Sequence, residues 1–163
     1  MQAMKDSFYV TLRDRLAQSC PARTITVDGI TRPAIVVAEN EQASVTARQH
    51  DAFYMEWGEA RVVRPAISTL TAMECTLRYE SAGTEANGGL DRGRALGELD
   101  SELLAVCTPA VTRKYDYTAS TPADLGSNLF WSQPVIRAAK AGPNCAAREA
   151  SVTVYFYPEA NQA

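Results

Sequence analysis

His50 is the only histidine of the chain, so a Ser-His-Asp or Cys-His catalytic site would have to be built around it. It lies in a polar stretch beside Asp51, with no G-x-S-x-G and no papain-like cysteine context nearby. It reads as a surface histidine. The four cysteines, Cys20, Cys75, Cys107 and Cys145, form no C-x-x-C and no C-x-x-C-H. Zinc-ribbon, thioredoxin and haem-attachment motifs are therefore missing, and the thiols read as reduced, mostly buried small hydrophobes. A metal site would have to draw on carboxylates. Glu39, Asn40 and Glu41 stand in a row, but consecutive residues do not make the spaced ligand pattern of a calcium loop.

The passage from Tyr79 to Cys107 is the strongest candidate for ligand chemistry. Gly83 and Gly88 copy the glycine spacing of a P-loop, which then needs a lysine and a hydroxyl to reach phosphate and magnesium. Gly89 and Leu90 stand in those places and can fill neither role. A helix start there would attract an anion through its free amides, but Asp91 already places a negative charge on it. Asp91, Glu98, Asp100 and Glu102 could be imagined as an acid/base pair, since Asp91 and Glu98 can share a helix face about 10 Å apart along the axis, but an acidic solvated face is the ordinary explanation. Arg61, Arg64, Arg113, Lys114, Arg137 and Lys140 scatter along strands and turns without forming a stripe. No cofactor and no metal is expected.

The elements that would carry these residues follow from periodicity. Residues 3–19 read as an amphipathic helix with Met4, Phe8, Leu12 and Leu16 on one stripe, stopped by Cys20-Pro21 because the residue before proline avoids helical geometry. Arg23–Val27 is a short strand, Asp28-Gly29 a hairpin turn, and Ile30–Ala38 the return strand, with an edge or bulge expected at Pro33. Residues 39–50 read as a loop with room for a helical turn, Ala52–Trp57 as a strand, and Gly58–Pro65 as a connection. Thr69–Tyr79 is the clearest strand, with Thr71, Met73, Cys75, Leu77 and Tyr79 on one face. A glycine-rich loop, Ser81–Gly89, leads to a second helix over 89–107 with Leu96, Leu99, Leu103 and Val106 as its apolar stripe. Thr112–Thr118, Leu129–Ala138 and Ser151–Tyr157 are three further strands, separated by a Ser120–Asn128 loop and a Lys140–Asn144 turn. Adjacent strands interrupted by one helix argue for α+β: a mainly antiparallel sheet flanked by two principal helices in a single domain, 1–163.

Composition sets outer bounds. The 163 residues are 46% hydrophobic and 21% charged, with a net charge of −3. That is ordinary globular usage, and the charge lacks the basic excess of a dedicated nucleic-acid binder. No stretch has the length of a secretory signal or a membrane helix, so a soluble, cytosolically made chain is expected. Aromatics concentrate in the strands. Because strand faces alternate, Phe130 and Trp131 point to opposite sides, as do Tyr155 and Phe156. One of each pair therefore faces outward, either as exposed surface suited to protein–protein contact or under one of two helices covering both sides.

Several segments together resemble the tail terminator, or tail completion, proteins of long-tailed bacteriophages, prophages and phage-tail-like particles. They are KDSFYVTLRDRL at Lys5–Leu16, MECTLRYESAGTEANGGLDRGRALGELDSEL at Met73–Leu103, NLFWSQPV at Asn128–Val135 and ASVTVYFYPE at Ala150–Glu159. The resemblance spans most of the chain and has no catalytic signature to match. It implies a non-enzymatic virion protein, made in the bacterial host cytoplasm, that assembles as a homo-oligomeric ring, typically a hexamer, on the head-proximal end of the tail tube. The ring stops tube polymerisation and docks the head–tail connector. DNA passes through its lumen without specific binding, which suits a neutral or acidic wall. The loops Glu39–Asp51 and Ala82–Gly89 have the length to reach neighbours, and Glu39, Glu41, Arg48, His50, Thr84, Glu85, Asn87 and Gly88 are the expected assembly contacts. Another neck or minor tail protein of the same particle is the alternative, and a small-molecule-binding enzyme on an α+β scaffold is the third reading.

Overall fold

The computed structural model describes residues 1–41, 48–64, 69–84 and 87–158. Two main helices, α1 (Gln2–Ser19) and α3 (Arg92–Val106), and one helical turn, α2 (Ala38–Glu41), combine with ten strands. These are β1 (Thr24–Val27), β2 (Ile30–Pro33), β3 (Ile35–Val37), β4 (Phe53–Arg64), β5 (Leu70–Ser81), β6 (Val111–Asp116), β7 (Ala123–Trp131), β8 (Val135–Ile136), β9 (Lys140–Ala141) and β10 (Ala146–Phe156). Strands β1 and β2 pair as a separate hairpin. The other eight form one sheet in the order β3-β4-β5-β10-β7-β6, with β8 and β9 pairing β10. All pairings in the large sheet are antiparallel except β3 with β4. This is the α+β architecture that the element order predicts.

Both main helices lie on the same face of this sheet. The α1 stripe, Met4, Phe8, Leu12 and Leu16, is fully buried, and Leu96, Leu99, Leu103 and Val106 of α3 bury beside it. They pack on Met55, Met73, Cys75, Leu77, Val152, Val154 and Trp131, every second residue of their strands. Phe8 sits between two indoles, edge-on to Trp57 at 5.7 Å and to Trp131 at 5.2 Å. Such pairs add about 0.5–1.5 kcal/mol each beyond area burial. A smaller cluster of Ile25, Ala34, Val36, Ala52 and Tyr54 lies on the opposite face, under the β1–β2 hairpin.

The carbonyls that end α3 are satisfied by side chains from its neighbours. Arg15 Nη1 of α1 donates to Val106 O at 3.0 Å and to Thr108 O at 2.7 Å. Trp131 Nε1 of β7 donates to Cys107 O at 3.1 Å, and the Arg15 guanidinium lies 5.1 Å from the Trp131 ring centre. A helix C-terminus leaves its last carbonyls without intrahelical partners, and here two other elements supply the donors.

Several expected boundaries change. The return strand after Asp28-Gly29 breaks at Ala34: Ile30–Pro33 pairs with β1, whereas Ile35–Val37 turns to pair in parallel with β4. Pro33, which has no N–H to donate, stands where the break begins. Gly58–Pro65 is no mere connection, because β4 continues to Arg64 against β5 through register shifts between Trp57 and Ala60 and between Val62 and Arg64. Likewise β7 starts at Ala123, inside the expected Ser120–Asn128 loop, because β6 supplies its partner. It ends at Trp131 rather than running to Ala138, and the chain re-enters the sheet only briefly at Val135–Ile136. The expected Lys140–Asn144 turn begins with β9, which pairs the start of β10. The turn at Asp28-Gly29 has positive φ at both residues, 50° and 80°, as a primed hairpin turn requires.

Replacing Phe8 by Ala removes the ring shared by the two indoles and is expected to cost about 3–5 kcal/mol of unfolding free energy in urea denaturation. A loss below about 1 kcal/mol would mean that the core is not organised around this residue.

Candidate functional site

The expected contact loops are tied back onto the body. Glu39 receives Lys5 Nζ at 3.0 Å. Arg48 reaches Glu56 at 3.4 Å and lies over the Tyr54 ring, 5.7 Å from its centre. His50 Nδ1 is 3.3 Å from Glu80 Oε1. In the glycine loop, Asp91 is the organiser. Its carboxylate accepts the Thr84 amide at 3.0 Å and the Thr84 hydroxyl at 2.9 Å, with the Asn87 amide at 3.5 Å. These donors, the Thr84 backbone N–H first, hold the Asp91 carboxyl below its ordinary range. Gly83, at φ +74°, is needed for this closeness: a Cβ there would stand 2.6 Å from the Asp91 carboxylate. Gly88 also adopts positive φ. The Glu41 side chain and Glu85 lie outside the described residues. Glu39 meets α1, Arg48 and His50 meet β4 and β5, and Thr84 and Asn87 close on Asp91, while Glu39, Arg48, His50, Thr84 and Asn87 all remain exposed.

The carboxylates of α3 are not a solvated stripe. Asp100 accepts the Tyr79 hydroxyl at 2.6 Å and Arg148 Nη1 at 2.5 Å. Glu102 is held by both donors of the Arg23 fork at 2.8 Å, which raises the Arg23 pKa further. Both pairs are partly buried. They fasten α3 to β5, β10 and the approach to β1. Glu98 alone of Glu98, Asp100 and Glu102 is exposed.

The face of the sheet opposite the two helices divides into two zones. One carries an alternating chain of charges. Arg48 and Arg78 share Glu56, Arg78 also meets Glu149 at 3.2 Å, and Lys140 approaches Glu149 at 4.0 Å. Alongside lies a solvent-open groove of about 450 Å³ lined in part by Tyr54, Arg78, Arg137 and Ala147.

The other zone is charged at one end, where Glu59, Arg61 and Glu74 surround Ala72, and apolar at the other. Register carries one row of side chains across five strands: Arg61 opposite Ala72, Ala72 opposite Tyr155, Tyr155 opposite Phe130, and Phe130 opposite Val111. The Phe130 and Tyr155 rings stack with centroids 5.1 Å apart at 12°. No helix covers them, and Val111 is 67% exposed. Of the two readings open for the outward aromatics, coverage by helices on both sides does not hold. Alternation places Phe130 and Tyr155 away from the core, but the row itself depends on pairings between strands far apart in sequence.

No family model matches the chain, and comparison with curated proteins finds no match. Among the described residues no group of three or more His, Cys, Asp or Glu is placed to hold a metal ion, and no helix is long and apolar enough to cross a membrane.

Burial pushes the Cys107 thiol up from 9.0 to about 12. The unfolded chain therefore loses this proton before the folded one does. Stability contributed below pH 9 should be lost as the pH rises from 9 towards 12. In urea midpoints measured across that window, Cys107→Ala should fall less steeply than the wild type; equal slopes would overturn the assignment.

Proposed function

We propose that this chain is a structural subunit of a phage-type tail: a terminator that closes the head-proximal end of the tail tube as a ring and offers a docking surface to the head connector. The observation that carries this reading is the half-exposed stacked pair Phe130–Tyr155 beside the exposed Val111, opposite both helices. A partly exposed stacked aromatic pair on a sheet face is surface of the kind that subunits bury against one another. The likeness of Lys5–Leu16, Met73–Leu103, Asn128–Val135 and Ala150–Glu159 to terminator segments supplies the particle.

The charge arrangement fits a wall past which DNA slides. Lys140, one of the scattered basic residues, and Arg78 face Glu149 and Glu56 rather than standing as a bare cationic stripe. Phosphate affinity grows with the number of unneutralised cations that can displace counterions. In this reading DNA is cargo, the partners are further copies, the tube protein and the connector, and the chain performs no catalysis.

Light scattering after size exclusion, with negative-stain imaging of the peak and of added tubes, tests the proposal. Ring-shaped oligomers, free or on tube ends, are expected. A monomer that leaves tube ends bare would overturn it. Combining Phe130→Ser with Tyr155→Ser should weaken assembly about 30-fold, from a loss of ~2 kcal/mol at a buried aromatic anchor, while far-ultraviolet circular dichroism stays unchanged.

A further inference from the structure

Each lateral edge of the large sheet is half closed. On one side β3 pairs with Phe53–Met55 of β4, and among the described residues no strand pairs that edge beyond Met55, although β4 runs to Arg64. Gly58 to Val63 are exposed without interruption. Val62 and Val63, neighbours in a strand, are 58% and 48% exposed. On the other side, α1 closes the C-terminal half of β6, where the Tyr115 amide donates to Ser7 Oγ at 2.8 Å. The N-terminal half begins at the exposed Val111, just after Pro109, whose missing N–H limits how far pairing could extend.

The two bare half-edges stand level. Arg61 of β4 and Val111 of β6 are the two ends of the same transverse row. Four antiparallel steps, β4 to β5 to β10 to β7 to β6, separate them, so both strands run in the same direction. Unpaired backbone on an edge with apolar side chains is a template for another strand. One copy presents that template on one side and a shorter, level one on the other.

We propose that the β4 edge of one copy, Gly58–Val63, pairs in parallel with the β6 edge, Val111–Arg113, of the next. The occupant of each edge is a second copy of this chain. The contact is head to tail, using different patches on the two partners, and such contacts generate a ring where the rotation closes and a filament where it does not. Arg61 is thereby brought level with Val111 on the outer face, so the transverse row runs on from copy to copy, while Val62 turns to the helix side. This deepens the terminator reading and rests on its claim of self-assembly.

Site-directed cross-linking tests it in the full chain. Cys20 and Cys145, the two cysteines that are not fully buried, are first replaced by Ser. In that background Arg61→Cys, Val111→Cys and the double variant are treated with a short bis-maleimide, and mass is followed by light scattering. The double variant should give a ladder of adducts and neither single variant any. Dimers from Arg61→Cys alone would reveal a two-fold contact and overturn the proposal. Oligomers of unchanged mass with no ladder would overturn it too, while leaving self-assembly standing. Absence of oligomers at every concentration, with no ladder, would remove both.

Discussion

The last turn of α3 ends against two donors that belong to other elements, and this joint sets much of the molecule's shape. Arg15 reaches it from α1 and Trp131 from β7, so the carbonyls at Val106, Cys107 and Thr108 are bonded only when helix, helix and strand meet on one side of the sheet. Leaving a buried carbonyl without a partner costs about 1–3 kcal/mol, a cost that falls chiefly on the buried Cys107 carbonyl and in part on Val106 if α3 moves to the other face. The ion pairs Asp100–Arg148 and Glu102–Arg23 hold the same helix further along. With α1 and α3 fastened together on one side, the other side is left to the hairpin, the charge chain and the aromatic row.

That division links packing to the proposed role. A sheet covered on both faces would have no apolar surface left to offer. Here the inner face is filled by Phe8 and its two indoles, and the outer face keeps Phe130 stacked on Tyr155. Stacking the two rings on each other hides part of their surface from water in the isolated chain. It also pre-forms a flat platform, so little side-chain freedom remains to be lost when a partner covers it.

What could be read from sequence was what depends on near neighbours. The Met4–Leu16 stripe, the alternation from Thr71 to Tyr79 and the Asp28-Gly29 turn each carry their signal within a few residues. Where pairing decides the structure, local reading failed: Gly58–Arg64 is strand because β5 lies beside it, and Ala123–Asn128 because β6 does. Strand preference is largely a matter of what lies alongside. The same limit applies to the surface. Arg48, His50, Thr84 and Asn87 stay exposed, and the carboxylates they bond, Glu56, Glu80 and Asp91, are partners that composition does not name. The exposed row instead joins residues from five strands, spread from position 61 to position 155.

The chain of alternating charges from Arg48 to Lys140 has a kinetic side. Three cations there, Arg48, Arg78 and Lys140, share two carboxylates, Glu56 and Glu149, so the chain projects only a small net charge and its field decays over short distances. Partners approaching this face are not steered from afar. For the proposed assembly this makes orientation the main limit on encounter, at roughly 10⁵–10⁷ M⁻¹s⁻¹, so that the number of neighbours close at hand, more than electrostatic capture, sets the rate of growth.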